Sequence, residues 1–86
     1  MPRISYFYGI AVYMYYADHA PPHFHVIYAE FEAEIEISSG TVRAGRLPRR
    51  AHRLVRKWLA SYNDQLLADW ERARDGLPLR PIAPLE

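Results

Sequence analysis

The sequence predicts an α+β fold, in which a four-stranded antiparallel sheet (a meander) is followed by a C-terminal helical segment packed on one face. Up to Leu47, apolar residues occur in short β-branched and aromatic runs separated by turn residues, the pattern of strands. From Pro48 onwards they recur at intervals of three and four residues, the period of a helix. With 86 residues the chain has the size of one domain, which we expect to span residues 1–86.

The four predicted strands cover residues 10–16, 23–30, 31–37 and 41–47. Residues 4–8 are expected to be extended chain ahead of them. Consecutive hairpins make a meander the simplest topology. Alternation in the third strand places its glutamates on one side, which predicts a solvated acidic face. Gly45 in the fourth strand predicts a bulge, because glycine inside a strand often marks one.

The helical segment is long for so small a sheet. Run unbroken from Pro48 to Arg74 it would measure about 40 Å, whereas a seven-residue strand covers only about 23 Å. It must therefore overhang the sheet or break, and residues 61–64 resemble a capping box that would suit a break. One kinked helix and two helices both remain open. The tail after Gly76 is expected to run extended along the sheet through three apolar residues, Leu79, Ile82 and Leu85.

Composition narrows the classes of function. The absence of cysteine excludes disulfides, thiol chemistry and cysteine-ligated zinc. Neither a leader sequence nor a run of about 20 apolar residues is visible, so we expect a cytoplasmic protein without membrane contact. The net charge is only +1, but acidic residues cluster within 30–36 and basic residues within 43–57. Such a distribution allows the folded chain to present one acidic and one basic face, each of which could bind a different partner.

The connection between the first two predicted strands concentrates reactive side chains. Asp18, His19, His23 and His25 surround a diproline that makes the turn stiff. His23 and His25 share one strand face, and His19 is placed to reach them across the turn. Imidazoles and a carboxylate suit zinc, nickel, copper or iron. The spacing matches no metalloenzyme motif that we can name, so we predict no metal and no other cofactor. A metal-dependent hydrolase remains an alternative.

The same residues suit RNA cleavage by the neighbouring 2′-hydroxyl without a metal. Histidine titrates near neutrality and would serve as acid and base, with Asp18 as a fourth member of the catalytic set. Arginines stabilise charge on phosphate, and tyrosines stack on bases. The predicted binding residues are Tyr15, Tyr16, Tyr28, Arg43, Arg46, Arg49 and Arg53. All these residue types are common, so an aromatic and basic surface without chemistry is the simpler explanation.

A stripe of basic residues accompanies the start of the predicted helix, at helical spacing. It comprises Arg46, Arg49, Arg50, Arg53, Arg56 and Lys57. Cations near a helix N-terminus oppose the macrodipole, so an anion is expected to compensate them. The chain's own glutamates are predicted to point from the other side of the sheet. The pattern therefore favours an external phosphate or an acidic partner over these glutamates, although a solvated stripe is the commonest origin of such a pattern.

Several short motifs together resemble one bacterial family. They are Phe7-Tyr8-Gly9-Ile10, Met14-Tyr15-Tyr16, the Asp18–His25 string Asp-His-x-Pro-Pro-His-Phe-His, Tyr28, Gly45-x-Leu47-Pro48, and Leu66 with Trp70. The chain resembles domain-of-unknown-function family 4160 essentially from Met1 to Leu85. The resemblance implies a small cytoplasmic protein whose gene lies beside another small gene, as in toxin–antitoxin modules. It assigns no catalytic roles.

The resemblance predicts a toxin-like component of a two-gene module that acts on RNA or translation. The residue chemistry predicts that it acts as a metal-independent ribonuclease. Its expected partners are the protein encoded by the adjacent gene and RNA, and a homo-oligomer is also allowed. The main alternative is a non-enzymatic, antitoxin-like binding partner. In that case the helical segment or an exposed strand edge would dock the other chain.

Overall fold

The computed structural model describes residues 2–86 and confirms the α+β class, the antiparallel meander and the C-terminal helix. Five strands form one sheet, and each strand pairs with the strand that follows it in the sequence. The elements are β1 (Arg3–Phe7), β2 (Ile10–Tyr13), β3 (His23–Tyr28), β4 (Phe31–Glu36), β5 (Val42–Gly45) and α1 (Arg49–Arg74).

The prediction of four strands was wrong, because the segment taken as extended chain is the edge strand β1. It pairs with β2 through a two-residue hairpin in which Phe7 faces Ile10. The loop residues Tyr8 and Gly9 have φ of 50° and 79°. Positive φ at both positions is what a type I′ hairpin requires, and asparagine or aspartate normally precedes the glycine. Because tyrosine stands before the glycine here, the sequence did not indicate this hairpin.

Two other strand boundaries differ from the prediction. β2 ends at Tyr13 rather than at residue 16, since the chain leaves the sheet ahead of the diproline turn. Residues 23–37 divide at a second two-residue hairpin, in which Tyr28 faces Phe31 and Ala29 has φ of 53°. The predicted division between residues 30 and 31 lies at the end of this turn, but no glycine or proline marks it, and Ala29 and Glu30 were predicted as strand.

The core lies between one face of the sheet and α1. Val12, Phe24 and Ile35 from the sheet are fully buried with Val55 and Trp58 from the helix. The Trp58 ring lies 5.3 Å from the Phe7 ring and 5.8 Å from the Phe24 ring. Its indole N–H donates to the Ala83 carbonyl at 2.8 Å, so the same side chain also fixes the tail. Removing a buried side chain of this size typically costs about 3–5 kcal/mol of folding free energy.

α1 is one helix with a kink, which resolves the choice that the sequence left open. Tyr62 has φ of −123° and ψ of 23°, outside the helical region, within the segment that resembled a capping box. The Asn63 side-chain amide donates to the Ile37 carbonyl at 3.2 Å and ties the kink to the end of β4. The bend allows Trp58 before it and Trp70 after it both to be buried.

The tail runs back along the sheet as predicted. Ile82 is buried, and its N–H donates to the Ile4 carbonyl of β1 at 2.7 Å. Leu79 and Leu85 pack against the core. Asp69 of α1 accepts the Arg80 backbone N–H at 3.0 Å and an Arg72 side-chain N–H at 2.9 Å on the same oxygen. The tail thus covers the edge strand that would otherwise be open to another chain.

Candidate functional site

Asp18, His23 and His25 come together on the side of the sheet facing away from the core. Side chains of paired residues share a face, and Tyr13, His25 and Glu34 are neighbours across β2, β3 and β4. Asp18 Oδ2 lies 3.0 Å from His23 Nε2 and 3.0 Å from His25 Nε2. Of these two contacts, the one from His25 has hydrogen-bond geometry. The cluster therefore converges on a single carboxylate oxygen.

His23 is the most enclosed member of the cluster, with only 2% of its surface exposed. Its Nδ1 atom lies 2.8 Å from the Pro21 carbonyl oxygen and 3.0 Å from Arg43 NH1. The ring is 5.2 Å from the Trp70 ring of α1. His23 at the start of β3 is thus held by the turn, by β5 and by the helix, which fixes the direction of both ring nitrogens.

Arg43 reaches the cluster because β5 is irregular at this point. Ile35 pairs with Val42 and Glu34 with Ala44, so Arg43 is the additional residue of a bulge. Its Nε atom is 3.7 Å from Glu34 Oε1. The bulge predicted at Gly45 is therefore located two residues earlier, at Arg43. Gly45 has φ of 72° and lies so close to the Glu32 carbonyl that a side chain would collide with it.

The electrostatics of the cluster stabilise the ionised carboxylate of Asp18. Burial alone would raise the pKa of Asp18, but hydrogen bonds from His25 and from the His19 backbone N–H, with the charges of His23 and His25, lower it overall. Tyr15 stacks on His25 with ring centroids 3.9 Å apart. Burial, followed by the charge of Glu32, raises the pKa of the Tyr15 hydroxyl, so this group remains a neutral phenol.

The predicted site residues divide into two groups. Asp18, His23, His25, Tyr15 and Arg43 are gathered as just described. The others lie elsewhere. His19 and Tyr16 are exposed on the turn, and Tyr28 packs against the core. Arg46 lies over the Phe31 ring at 5.4 Å, and Arg49 and Arg53 are exposed on α1. Residue patterns did not indicate Glu34, whose position beside His23 depends on the register of β3 against β4.

A separate cationic face covers the first half of α1. It consists of Arg49, Arg53, Arg56 and Lys57, which are exposed and line a shallow groove with His52 and Ala60. Within residues 2–86, the arginine ion pairs to carboxylates are those of Arg43, Arg72 and Arg74. The first turn of α1 contains no acidic residue. This face therefore carries unneutralised charge on the opposite side of the molecule from the cluster.

A comparison with protein-family models matches residues 9–71 to the domain-of-unknown-function family DUF4160. The chain belongs to this family. The DUF4160 match extends from the β1–β2 hairpin to beyond the kink of α1, so it includes both the Asp18–His23–His25 cluster and the cationic face. No curated protein and no solved structure matches the chain. In residues 2–86 we find no helix with the length and apolar character that crossing a bilayer requires.

Proposed function

We propose that this DUF4160 protein binds RNA through the cationic face of α1, as a toxin-like component of a two-gene module that acts on RNA or translation. The observation that carries the proposal is the set of four exposed cations on one helical face without a carboxylate partner in residues 2–86. The role in a module rests on the family resemblance in the sequence.

The position of these cations argues for an external anion. Arg49 lies in the first turn of α1, where positive charge opposes the helix macrodipole and typically costs a few tenths of a kcal/mol. Arg53, Arg56 and Lys57 follow in the next two turns and repel one another and Arg49 as like charges. The glutamates of β4 extend from the opposite face of the sheet, so they do not neutralise the helix. An anion bound from solution would remove this repulsion.

The dimensions and neighbours of the face favour RNA over a small anion. From Arg49 to Lys57 the helix rises about 12 Å, more than one phosphate can contact. Beside the face, Arg50 borders a small pocket with Tyr8 and Tyr28. Tyr8 is 60% exposed. An exposed aromatic ring next to a cationic surface is suited to stacking on an unpaired base.

The geometry supports binding better than metal-independent cleavage. Acid–base catalysis needs imidazoles that can exchange protons with a phosphodiester. His25 is only 7% exposed and His23 less, and both direct Nε2 towards the same Asp18 oxygen. His19 is exposed but is not part of their cluster. We therefore propose RNA binding as the function and assign no cleavage step to these histidines.

Binding is tested by fluorescence anisotropy with a labelled single-stranded RNA. The cationic-face variant combines Arg49→Gln, Arg53→Gln and Lys57→Gln. The matched control combines Arg3→Gln, Arg74→Gln and Arg80→Gln, which removes the same charge from exposed positions elsewhere. We expect the cationic-face variant to lose roughly tenfold or more in affinity and the control to lose much less. Equal losses of affinity in the two variants would refute the proposal. Tighter binding of polyglutamate than of RNA would also refute it and would indicate an acidic protein partner.

The role in a two-gene module predicts a growth phenotype. Expression of the wild-type chain without the neighbouring gene should arrest growth of a bacterial host. The cationic-face variant should relieve the arrest, and the matched control should retain it. Harmless expression of folded wild-type protein would contradict the toxin-like role, while anisotropy would still decide RNA binding.

A further inference from the structure

We propose that Asp18, His23 and His25 form a binding site for one Zn²⁺ ion. None of these residues belongs to the cationic face, so the inference does not depend on RNA binding. One carboxylate oxygen and the two imidazole nitrogens lie within 4.8 Å of one another. Two of the three residues are buried, so the donors are held in place by the fold.

The separations of the donor atoms fit a tetrahedral ion. Zinc bonds of roughly 2.0–2.1 Å to nitrogen and oxygen place adjacent ligand atoms ~3.3 Å apart. The observed separations from Asp18 Oδ2 to the two Nε2 atoms are 3.0 Å. These two separations are only a few tenths of an ångström shorter than the zinc value, and all three donor atoms lie within 4.8 Å of one another.

The hydrogen bonding of His23 supplies an independent argument. A carbonyl oxygen only accepts, so the contact with Pro21 requires a proton on Nδ1. A carboxylate also only accepts, so without a metal Nε2 would need a second proton. The ring would then be a buried cation that lies 3.0 Å from the Asp18 carboxylate on one side and 3.0 Å from the Arg43 guanidinium on the other. A proton on Nε2 alone would satisfy Arg43 but would set the Nδ1 lone pair against the Pro21 carbonyl.

A zinc ion at Nε2 removes the need for a second proton on the ring, because the ion takes the place of that proton between Nε2 and Asp18. The neutral ring keeps the Nδ1–H hydrogen bond to Pro21 and presents the Nε2 lone pair to the ion. A ligand histidine whose other nitrogen donates to a backbone carbonyl is the usual outer-shell arrangement of zinc sites. The Asp18 carboxylate then binds the ion, and it no longer has to accept a hydrogen bond from each of the two imidazole rings. Metal binding thus accounts for the close approach of His23 Nε2 to the Asp18 carboxylate.

The donor set determines which metals the site takes. Two imidazoles favour zinc and neighbouring transition metals, whereas magnesium and calcium prefer oxygen alone. Three protein ligands leave a fourth position open, which is typical of catalytic rather than structural zinc sites. Glu34 Oε1 lies 3.7 Å from His23 Nε2, close enough to border that position. Glu34 is therefore placed to hold a water molecule or to complete the coordination.

The experiment is a zinc titration of full-length protein purified without a histidine tag, followed by calorimetry and thermal unfolding. We expect one equivalent of Zn²⁺ to bind, with a rise in Tm on the order of 10 °C when zinc exceeds its Kd about a hundredfold. MgCl₂ at the same concentration should leave Tm unchanged. Co²⁺ should give the intense visible absorption of a four-coordinate site.

Matched variants separate the site from adventitious binding. His25→Gln should lose the stoichiometric equivalent, and His19→Gln and His52→Gln should keep it, because these histidines lie outside the cluster. If His25→Gln does not fold, the wild-type titration alone decides the question. Failure of folded wild-type protein to bind one equivalent would overturn the proposal, and so would retention of that equivalent by folded His25→Gln.

Discussion

Asp18 is the residue on which the polar cluster depends, because one oxygen of its carboxylate lies 3.0 Å from a ring nitrogen of both His23 and His25. Its other oxygen accepts the His19 backbone N–H at 3.0 Å. These contacts favour the ionised carboxylate and lower its pKa against the opposing effect of burial. The stabilisation that Asp18 supplies to the folded chain must therefore depend on pH.

We predict that Asp18→Asn destabilises the metal-free protein near neutral pH by about 1–2 kcal/mol. The folded-state pKa of Asp18 is below its unfolded value near 3.9, so its contribution is complete above that value and is lost as pH falls through the folded-state pKa. Urea unfolding in a chelator from pH 6 downwards measures the difference. Exposed Asp64→Asn serves as control. A difference that grows on acidification would contradict this assignment.

Gly45 allows β5 to pass close to β4 after the bulge. We predict that Gly45→Ala lowers the free energy of unfolding by about 3 kcal/mol, since alanine would meet both an unfavourable positive φ and the Glu32 carbonyl. Gly76→Ala is the matched control, because Gly76 has the same φ of 72° with nothing near its added methyl group. That variant should lose only about 1 kcal/mol. Equal losses in urea unfolding would show that the close approach is unimportant.

At the level of single residues, the sequence predicted part of the cluster. Alternation along β3 was enough to place His23 and His25 on one face. The contribution of Arg43 depends on a bulge whose position the sequence indicated only approximately through Gly45. Glu34 depends on the pairing of β3 with β4, whose register is determined by a two-residue turn at Ala29-Glu30 that was predicted as strand.

At the level of elements, the helix was more predictable than the hairpins. The apolar stripe of α1 repeats over 26 residues, and its length against the sheet required either an overhang or a break. The kink at Tyr62 is the observed solution. The β1–β2 and β3–β4 hairpins instead turn at Tyr8-Gly9 and Ala29-Glu30, where tyrosine and alanine adopt positive φ. Such residues are uncommon in these positions, so the β1–β2 hairpin was not predicted and residues 29–30 were assigned to a strand rather than to the turn.

At the level of the whole molecule, the sheet separates two surfaces of different chemistry. The face of α1 that points away from the core carries Arg49, Arg53, Arg56 and Lys57. The sheet face opposite the core carries the Asp18–His23–His25 cluster and the glutamates of β4. The basic and acidic segments seen in the sequence are thus separate surfaces, and of the predicted phosphate-binding arginines only Arg43 reaches the histidines. A partner on the cationic face and an ion at the cluster can be bound at the same time.

The salt dependence of RNA binding tests the central claim most directly. Each phosphate neutralised on a single strand contributes a slope of about −0.7 to log Kobs against log salt concentration. Removing three contacting cations in the cationic-face variant should therefore make the slope shallower by about 2. The matched control, with the same net charge, should keep a slope close to that of wild type. Equal slopes for the two variants would contradict the assignment of RNA binding to α1.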